Sequence, residues 1–343
     1  MQLQTNFLGI HLENPLVLAS GILGTTGASL ARVAGNGAGA VTSKSVWLKR
    51  HAGRPNPTVV NLGKGSLLNA VGLPHGGIEE ALVEFESFRR LSQKPLFASI
   101  AASNLAEFGE TAAAVAELKP DLIELNISCP NVKDEFGKPF ACDVKQAAEA
   151  TSIVKKAIGE IPLAVKLSPN VTNIAEIAKS VEAAGADAIT AINTAGPGMA
   201  IDIETAQPIL ANKFGGLSGP AIRPIAVKAV FEIFAAVKIP IIGMGGVTNG
   251  RDAIEMLQAG ATLIGIGSAA KDGSEVFGKI AAEIAEFCER KKIKNVADIV
   301  GLAHKKGVKL SPPSSKSKQS SLRRKVSKLS FSTAIWNFNQ DNS

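Results

Sequence analysis

Leu163-Ala164-Val165-Lys166-Leu167 is a short apolar run; after it come a helical pattern from Ile174 to Ala184, the triplet Ala184-Gly185-Ala186 and a second run, Ala188-Ile189-Thr190-Ala191-Ile192-Asn193. Runs that are apolar throughout suit parallel strands buried on both faces. A glycine just past the last helical residue supplies the left-handed conformation that stops a helix. Residues 163–193 therefore predict one strand-helix-strand unit.

Working outward, the same unit returns through residues 1–303. Eight runs recur: Leu16 to Ser20, Ala40 to Lys44, Leu96 to Ala101, Leu122 to Ile127, Leu163 to Leu167, Ala188 to Asn193, Ile239 to Met244 and Leu263 to Gly267. The helical pattern Ala253 to Ala259 closes with Ala259-Gly260-Ala261, and Gly37-Ala38-Gly39-Ala40 repeats the device. Eight such units in roughly 250 to 300 residues match an α/β fold, the closed (β/α)₈ TIM barrel with right-handed crossovers. A doubly wound open sheet is the alternative.

In such a barrel, functional residues gather where the strands end. The ends of these runs carry Ser20-Gly21, Lys44-Ser45, Ser99, Asn126 to Cys129, Lys166, Asn193-Thr194, Gly245-Gly246 and Gly267-Ser268. The glycine pairs follow the seventh and eighth strands, where barrels commonly bind phosphate through backbone N–H groups. Taken alone, Gly245-Gly246 reads more often as a tight turn; together with Gly267-Ser268 one strand later it favours the phosphate of a bound cofactor. The stretch Asn126-Ile127-Ser128-Cys129-Pro130-Asn131-Val132-Lys133 adds a thiol between two carboxamides. A thiolate can move a proton, with an ordinary thiol pKa of about 8.5, while the asparagines fix a planar polar substrate.

Three long connections, residues 45–95, 128 to about 145 and 194 to about 220, are expected to cover that face as lids. The first contains Asn69-Ala70-Val71-Gly72-Leu73-Pro74 and the third Gly215-Gly216-Leu217-Ser218-Gly219-Pro220. Asn69, Asn126, Asn131 and Asn193 then share one rim. Their uncharged donors and acceptors suit a ring of imides and amides. The chain has no Tyr, and its four His (11, 51, 75 and 304) fall outside the strand ends, which reads as structural or solvated. Cys142 is a rival thiol without paired asparagines, and Cys288 reads as core packing.

The net charge of +7 does not describe the folded body. Residues 304–343 hold nine Lys or Arg against Asp341, a balance of +8 that leaves −1 for residues 1–303. That tail is Ser- and Lys-rich, opens with Ser311-Pro312-Pro313-Ser314-Ser315, and is expected to be a disordered extension. A nucleic-acid arm or a shifted reading frame are its other readings. Two domains are thus expected, a barrel over 1–303 and a low-complexity tail over 304–343. Three irregularly spaced cysteines argue against a disulfide framework and for the cytoplasm. No apolar stretch reaches the ~20 residues that span a bilayer.

As a set, residues 126–133, Val165-Lys166-Leu167-Ser168-Pro169-Asn170, Ile192-Asn193-Thr194, 215–220 and Gly243-Met244-Gly245-Gly246-Val247 resemble class 1 dihydroorotate dehydrogenase, most of all its B subtype. The similarity runs from about Phe7 to about Leu302. The resemblance implies flavin mononucleotide (FMN) on the barrel's C-terminal face and oxidation of (S)-dihydroorotate to orotate in de novo pyrimidine (UMP) biosynthesis. It implies Cys129 as the base at ring carbon 5, with hydride leaving carbon 6 for the flavin. Substrate would be held by Lys44, Asn69, Asn126, Asn131, Asn193 and Thr194, with the backbone of Ala70, Val71, Gly72 and Leu73. FMN would contact Ser20, Lys44, Ser45, Ser99, Asn126, Lys166, Ile192, Gly219, Gly245, Gly246, Gly267 and Ser268. No metal is implied on this chain.

Lys166 could stabilise negative charge on a reduced flavin; a plain salt bridge is its other reading. The B subtype further implies a partner subunit carrying FAD and an iron-sulfur cluster that reduces NAD⁺, whereas the A subtype uses fumarate. Three scattered cysteines cannot form a four-cysteine cluster site on this chain. Relatives are often dimers or larger assemblies. Two positions depart from the pattern: His75 stands where many relatives place Asn, as does Ser99 in B-subtype relatives. A dihydropyrimidine dehydrogenase module would place His at 131. A tRNA dihydrouridine synthase could use the basic tail as an RNA arm, and a noncatalytic scaffold would bind no flavin.

Overall fold

The computed structural model describes residues 2–128 and 140–305; Cys129, Asn131 and the tail from residue 306 lie outside the described residues. Among the described residues, eight strands close in parallel: β1 (Leu16–Leu18), β2 (Ala40–Thr42), β3 (Leu96–Ile100), β4 (Leu122–Asn126), β5 (Leu163–Leu167), β6 (Ala188–Ala191), β7 (Ile241–Met244) and β8 (Leu263–Ile266). Each pairs with its neighbours in sequence, and β8 returns to β1 with Ile264 opposite Leu16. All eight expected runs are strands of one barrel, and the open sheet is excluded. The ladders stop one or two residues short of several predicted ends, as at Leu18 and Ala191, so Ser20 and Asn193 lie on the loops that leave the barrel.

The two-residue period of a strand sorts side chains to opposite faces. Val17, Ala40, Phe97, Leu122, Ala164, Ala188, Ile242 and Leu263, one from each strand, fill the lumen, and Phe7 and Leu12 of an N-terminal hairpin join them. Their neighbours Leu16, Leu18, Ile123, Leu125, Val165 and Leu167 face outward into the larger core beneath the helices. Burial on both faces explains why these strands read as continuous apolar runs.

The surrounding helices are α1 (Gly27–Gly35), α2 (Ile78–Leu91), α3 (Leu105–Ala116), α4 (Val144–Ile158), α5 (Ile174–Ala183), α6 (Arg223–Ala236), α7 (Gly250–Ala259) and α8 (Val276–Lys291). Asn173 opens α5 by accepting from the Glu176 amide, and Asn249 opens α7 three residues before the predicted start by accepting from Asp252. Such caps contribute about 1 kcal/mol each. Gly185 (φ +102°) and Gly260 (φ +125°) end those two helices in the conformation expected of them. Cys288 is buried on α8, where burial first, and Asp298 second, push its thiol pKa up.

Two of the long connections combine into one cover. Val59–Gly63 and Ser66–Asn69 from the first pair with Gly215–Ser218 and Ala195–Gly198 from the third as a four-stranded antiparallel sheet. The body extends at least to His304, whose ring stacks on Phe231 at 3.8 Å between centroids and leans on Phe234, with Nε2 3.0 Å from the Ala259 carbonyl. Among the described residues, no helix is long and apolar enough to cross a membrane.

Candidate active site

The carboxyl ends of the strands and the lid sheet enclose one deep cavity. Of the residues singled out in the sequence, Ser20, Lys44, Ser45, Asn69, Val71, Gly72, Leu73, Asn126, Lys166, Ile192, Asn193, Thr194, Gly219, Gly245, Gly246, Gly267 and Ser268 line it together. Ala70 and Ser99 stand behind the wall. The Ala70 amide is committed to the Thr58 carbonyl at 2.8 Å, and the Ser99 hydroxyl is bonded to that of Ser45 at 2.9 Å. Cys129 and Asn131 lie outside the described residues.

A chain of side-chain hydrogen bonds crosses the cavity floor. Asn126 Nδ2 donates to Ser45 Oγ at 3.3 Å, Ser128 Oγ donates to Asn126 Oδ1 at 3.0 Å, and Asn193 Nδ2 donates to Ser128 Oγ at 2.8 Å. Asn193 Oδ1 in turn accepts the Thr194 amide at 2.7 Å. Buried polar groups in a satisfied network are held in fixed orientation. The two carboxamides are therefore presented as fixed donors and acceptors. Ser128, which the sequence reading passed over, is the hinge of this network; its position between two site asparagines was the available signal.

The lid segment over this floor is pinned from behind. Trp47 Nε1 donates to the Leu73 carbonyl at 2.9 Å and the indole stacks on His51 at 4.2 Å. The backbones of His51 and His75 exchange two hydrogen bonds, at 2.8 and 2.9 Å, while His75 Nδ1 accepts the Gly77 amide at 3.0 Å. His75 is held below the ordinary histidine pKa, chiefly by burial. Glu80 opposes that shift and the Lys44 ammonium adds to it.

At the opposite wall the chain offers bare backbone. Gly245 and Gly246 have φ of +126° and +75°, and a Cβ on Gly246 would lie 2.8 Å from the Gly219 carbonyl oxygen. The buried amides of Gly246 and Val247 have no acceptor among the described residues. Buried N–H groups are seldom left unpaired, so this cradle fits an anionic group such as the phosphate of a mononucleotide. Lys166 lines the floor and is 4% exposed, paired at 3.4 Å with Glu124, which is 2% exposed. Glu124 was also missed in the sequence, although it is a lone acid among Leu122, Ile123 and Leu125 of β4.

Comparison with known proteins places the sequence in a family. The dihydroorotate dehydrogenase family model covers residues 2–288. The chain is 44% identical over 303 residues to a protein of Methanothermobacter thermautotrophicus named dihydroorotate dehydrogenase B (NAD(+)), catalytic subunit, covering 88% of this chain and 98% of that one. A protein of the same name from Methanocaldococcus jannaschii is 45% identical over 307 residues, covering 88% and 98%. One from a Geobacillus species is 42% identical over 302 residues, covering 87% and 95%. Because these matches run through all eight strands and the loops that line the cavity, the chain belongs to the dihydroorotate dehydrogenase family of oxidoreductases.

Proposed function

We propose that this chain oxidises (S)-dihydroorotate to orotate in pyrimidine biosynthesis, in the cytoplasm, with FMN as its resident cofactor. The observation that carries the reading is the fixed carboxamide floor, Asn126 to Ser128 to Asn193, in the same cavity as the glycine cradle with its bare amides. The amides of Gly246 and Val247, with Gly267 and Ser268, would hold the phosphate. Ser20, Lys44, Ser45, Asn126, Lys166 and Ile192 would hold the ring, with Ser99 supporting it through Ser45. Bound FMN would supply the two-electron acceptor for the hydride leaving carbon 6.

The chain's own residues do the rest. Cys129, as thiolate, takes the proton from carbon 5, so substrate loses one proton and one hydride and gains one carbon-carbon double bond. A positioned base contributes roughly 10²- to 10⁴-fold in rate. Asn69, Asn126, Asn131, Asn193 and Thr194 orient the ring, with Lys44 close to both substrate and cofactor. The segment Val71 to Leu73 closes over it and limits access of water. A partner subunit bearing FAD and an iron-sulfur cluster would carry the electrons on to NAD⁺, and the chain would assemble as a homodimer or a hetero-oligomer.

Anaerobic addition of dihydroorotate to the purified yellow protein tests the reading. The flavin absorbance should bleach, then return on adding NAD⁺ only when the partner fraction is present. Return with fumarate alone would reassign the acceptor, and absence of bleaching would reject the substrate.

A further inference from the structure

Glu124 has no part in the reaction just described. Among the described residues the buried charged side chains are Lys44, Glu124, Lys166 and Asp252, and Asp252 lies on α7, bonded to Thr248 and Arg223. Glu124 is therefore the one described carboxylate in the barrel lumen. Strand register places it a step deeper than Lys166: Asn126 stands opposite Lys166 on β5, and Glu124 stands opposite Ala164. Beneath it lie Leu122 and Phe97, with Ala164 level with it on β5, all apolar. The acid thus separates the apolar plug from the cationic cavity floor.

An ammonium has three donors, and among the described residues Glu124 is the one partner that Lys166 Nζ has. Thr190, beside Lys166 in register on β6, makes no side-chain hydrogen bond of its own. The remaining donors are left for whatever occupies the cavity that Lys166 lines. A buried ion pair is a poor stabilising device compared with apolar residues of equal volume. Its position here gives it a different use.

We propose that Glu124 is a positioning residue: it holds the Lys166 ammonium at the cavity floor and, by offsetting its charge, sets how strongly that floor favours incoming negative charge. The inference rests on the cavity being a flavin site. A hydride brings two electrons with one proton, so the occupant gains one negative charge while the base keeps the other proton. Lys166 favours that gain and Glu124 opposes it. The balance between them tunes the potential.

The test is the midpoint potential of the flavin in holoprotein carrying Glu124→Gln, Glu124→Asp or Lys166→Met. Glu124→Gln should favour the reduced form at least tenfold, a rise of about 30 mV for a two-electron couple, and Lys166→Met should move it the opposite way. Glu124→Asp withdraws the charge without removing it, so a smaller rise is expected; it carries the comparison if the glutamine variant does not fold. Lower thermal stability in both Glu124 variants with no change in potential would overturn the proposal and leave a structural ion pair. A wild-type protein that binds no flavin would instead remove the reading beneath it, and the proposal with it.

Discussion

Asn193, just past β6, donates to Ser128 Oγ at 2.8 Å, and the same hydroxyl donates to Asn126 Oδ1 at the end of β4. One small side chain thereby orients two carboxamides drawn from strands that are not neighbours. Neutral hydrogen bonds contribute about 0.5 to 1.5 kcal/mol each. Ser128→Ala should therefore weaken orotate binding on the order of tenfold, with a smaller effect on flavin retention. Titration of flavin absorbance with orotate measures this, and equal losses of both ligands would contradict it.

The glycine cradle makes a sharper demand. At Gly246 a methyl group would be strained by the positive φ and would meet the Gly219 carbonyl and the Arg223 backbone. Strain of this kind costs of order 1 to 3 kcal/mol. Gly246→Ala should lower FMN affinity about tenfold or more while the barrel still folds. Flavin content after gel filtration and far-ultraviolet circular dichroism report the two effects separately.

His75 introduces a pH dependence. Burial holds its pKa below the ordinary 6.5, with Lys44 adding to the shift and Glu80 opposing it. The folded state then binds fewer protons than the unfolded state in mildly acidic solution. The stabilising contribution is complete above pH 6.5 and is lost as the pH falls through the window below it. Thermal unfolding of His75→Asn should lose less stability than wild type between pH 7 and pH 5; identical losses would exclude His75 as the source.

The C-terminal boundary can be tested by truncation. His304 already packs on Phe231 and Phe234 and reaches the Ala259 carbonyl. A chain ending at Lys305 should keep its flavin and its melting temperature. Removing the His304 ring as well, by His304→Ala, should cost about 1 to 2 kcal/mol from lost aromatic contact. A truncated chain that loses its flavin would place part of the function in residues 306–343.

The barrel was legible because each strand is buried on both faces, so runs such as Leu163–Leu167 stand out from the amphipathic helices between them. Gly185 and Gly260 marked the ends of α5 and α7 for a local reason, the left-handed backbone. The lid sheet could not be read locally: Asn69 pairs with Gly216, and Leu68 with Leu217, about 150 residues apart, and no short-range pattern encodes a pairing at that separation. Strand ends predicted which residues would meet. They could not place Ala70 and Ser99 behind the wall, because that depends on bonds to Thr58 and Ser45. Glu124 was hidden by its run, since one acid among Leu122, Ile123 and Leu125 reads as strand until its distance to Lys166 is known.

The central claim, that Cys129 is the base beside a flavin on this carboxamide floor, is tested most directly by anaerobic single-turnover mixing of dihydroorotate with wild type and Cys129→Ala. Both proteins should be yellow at equal flavin content. Wild type should bleach, and the variant should bleach at least about 10²-fold more slowly, the contribution of a positioned base. Equal bleaching rates in the two proteins would contradict the account.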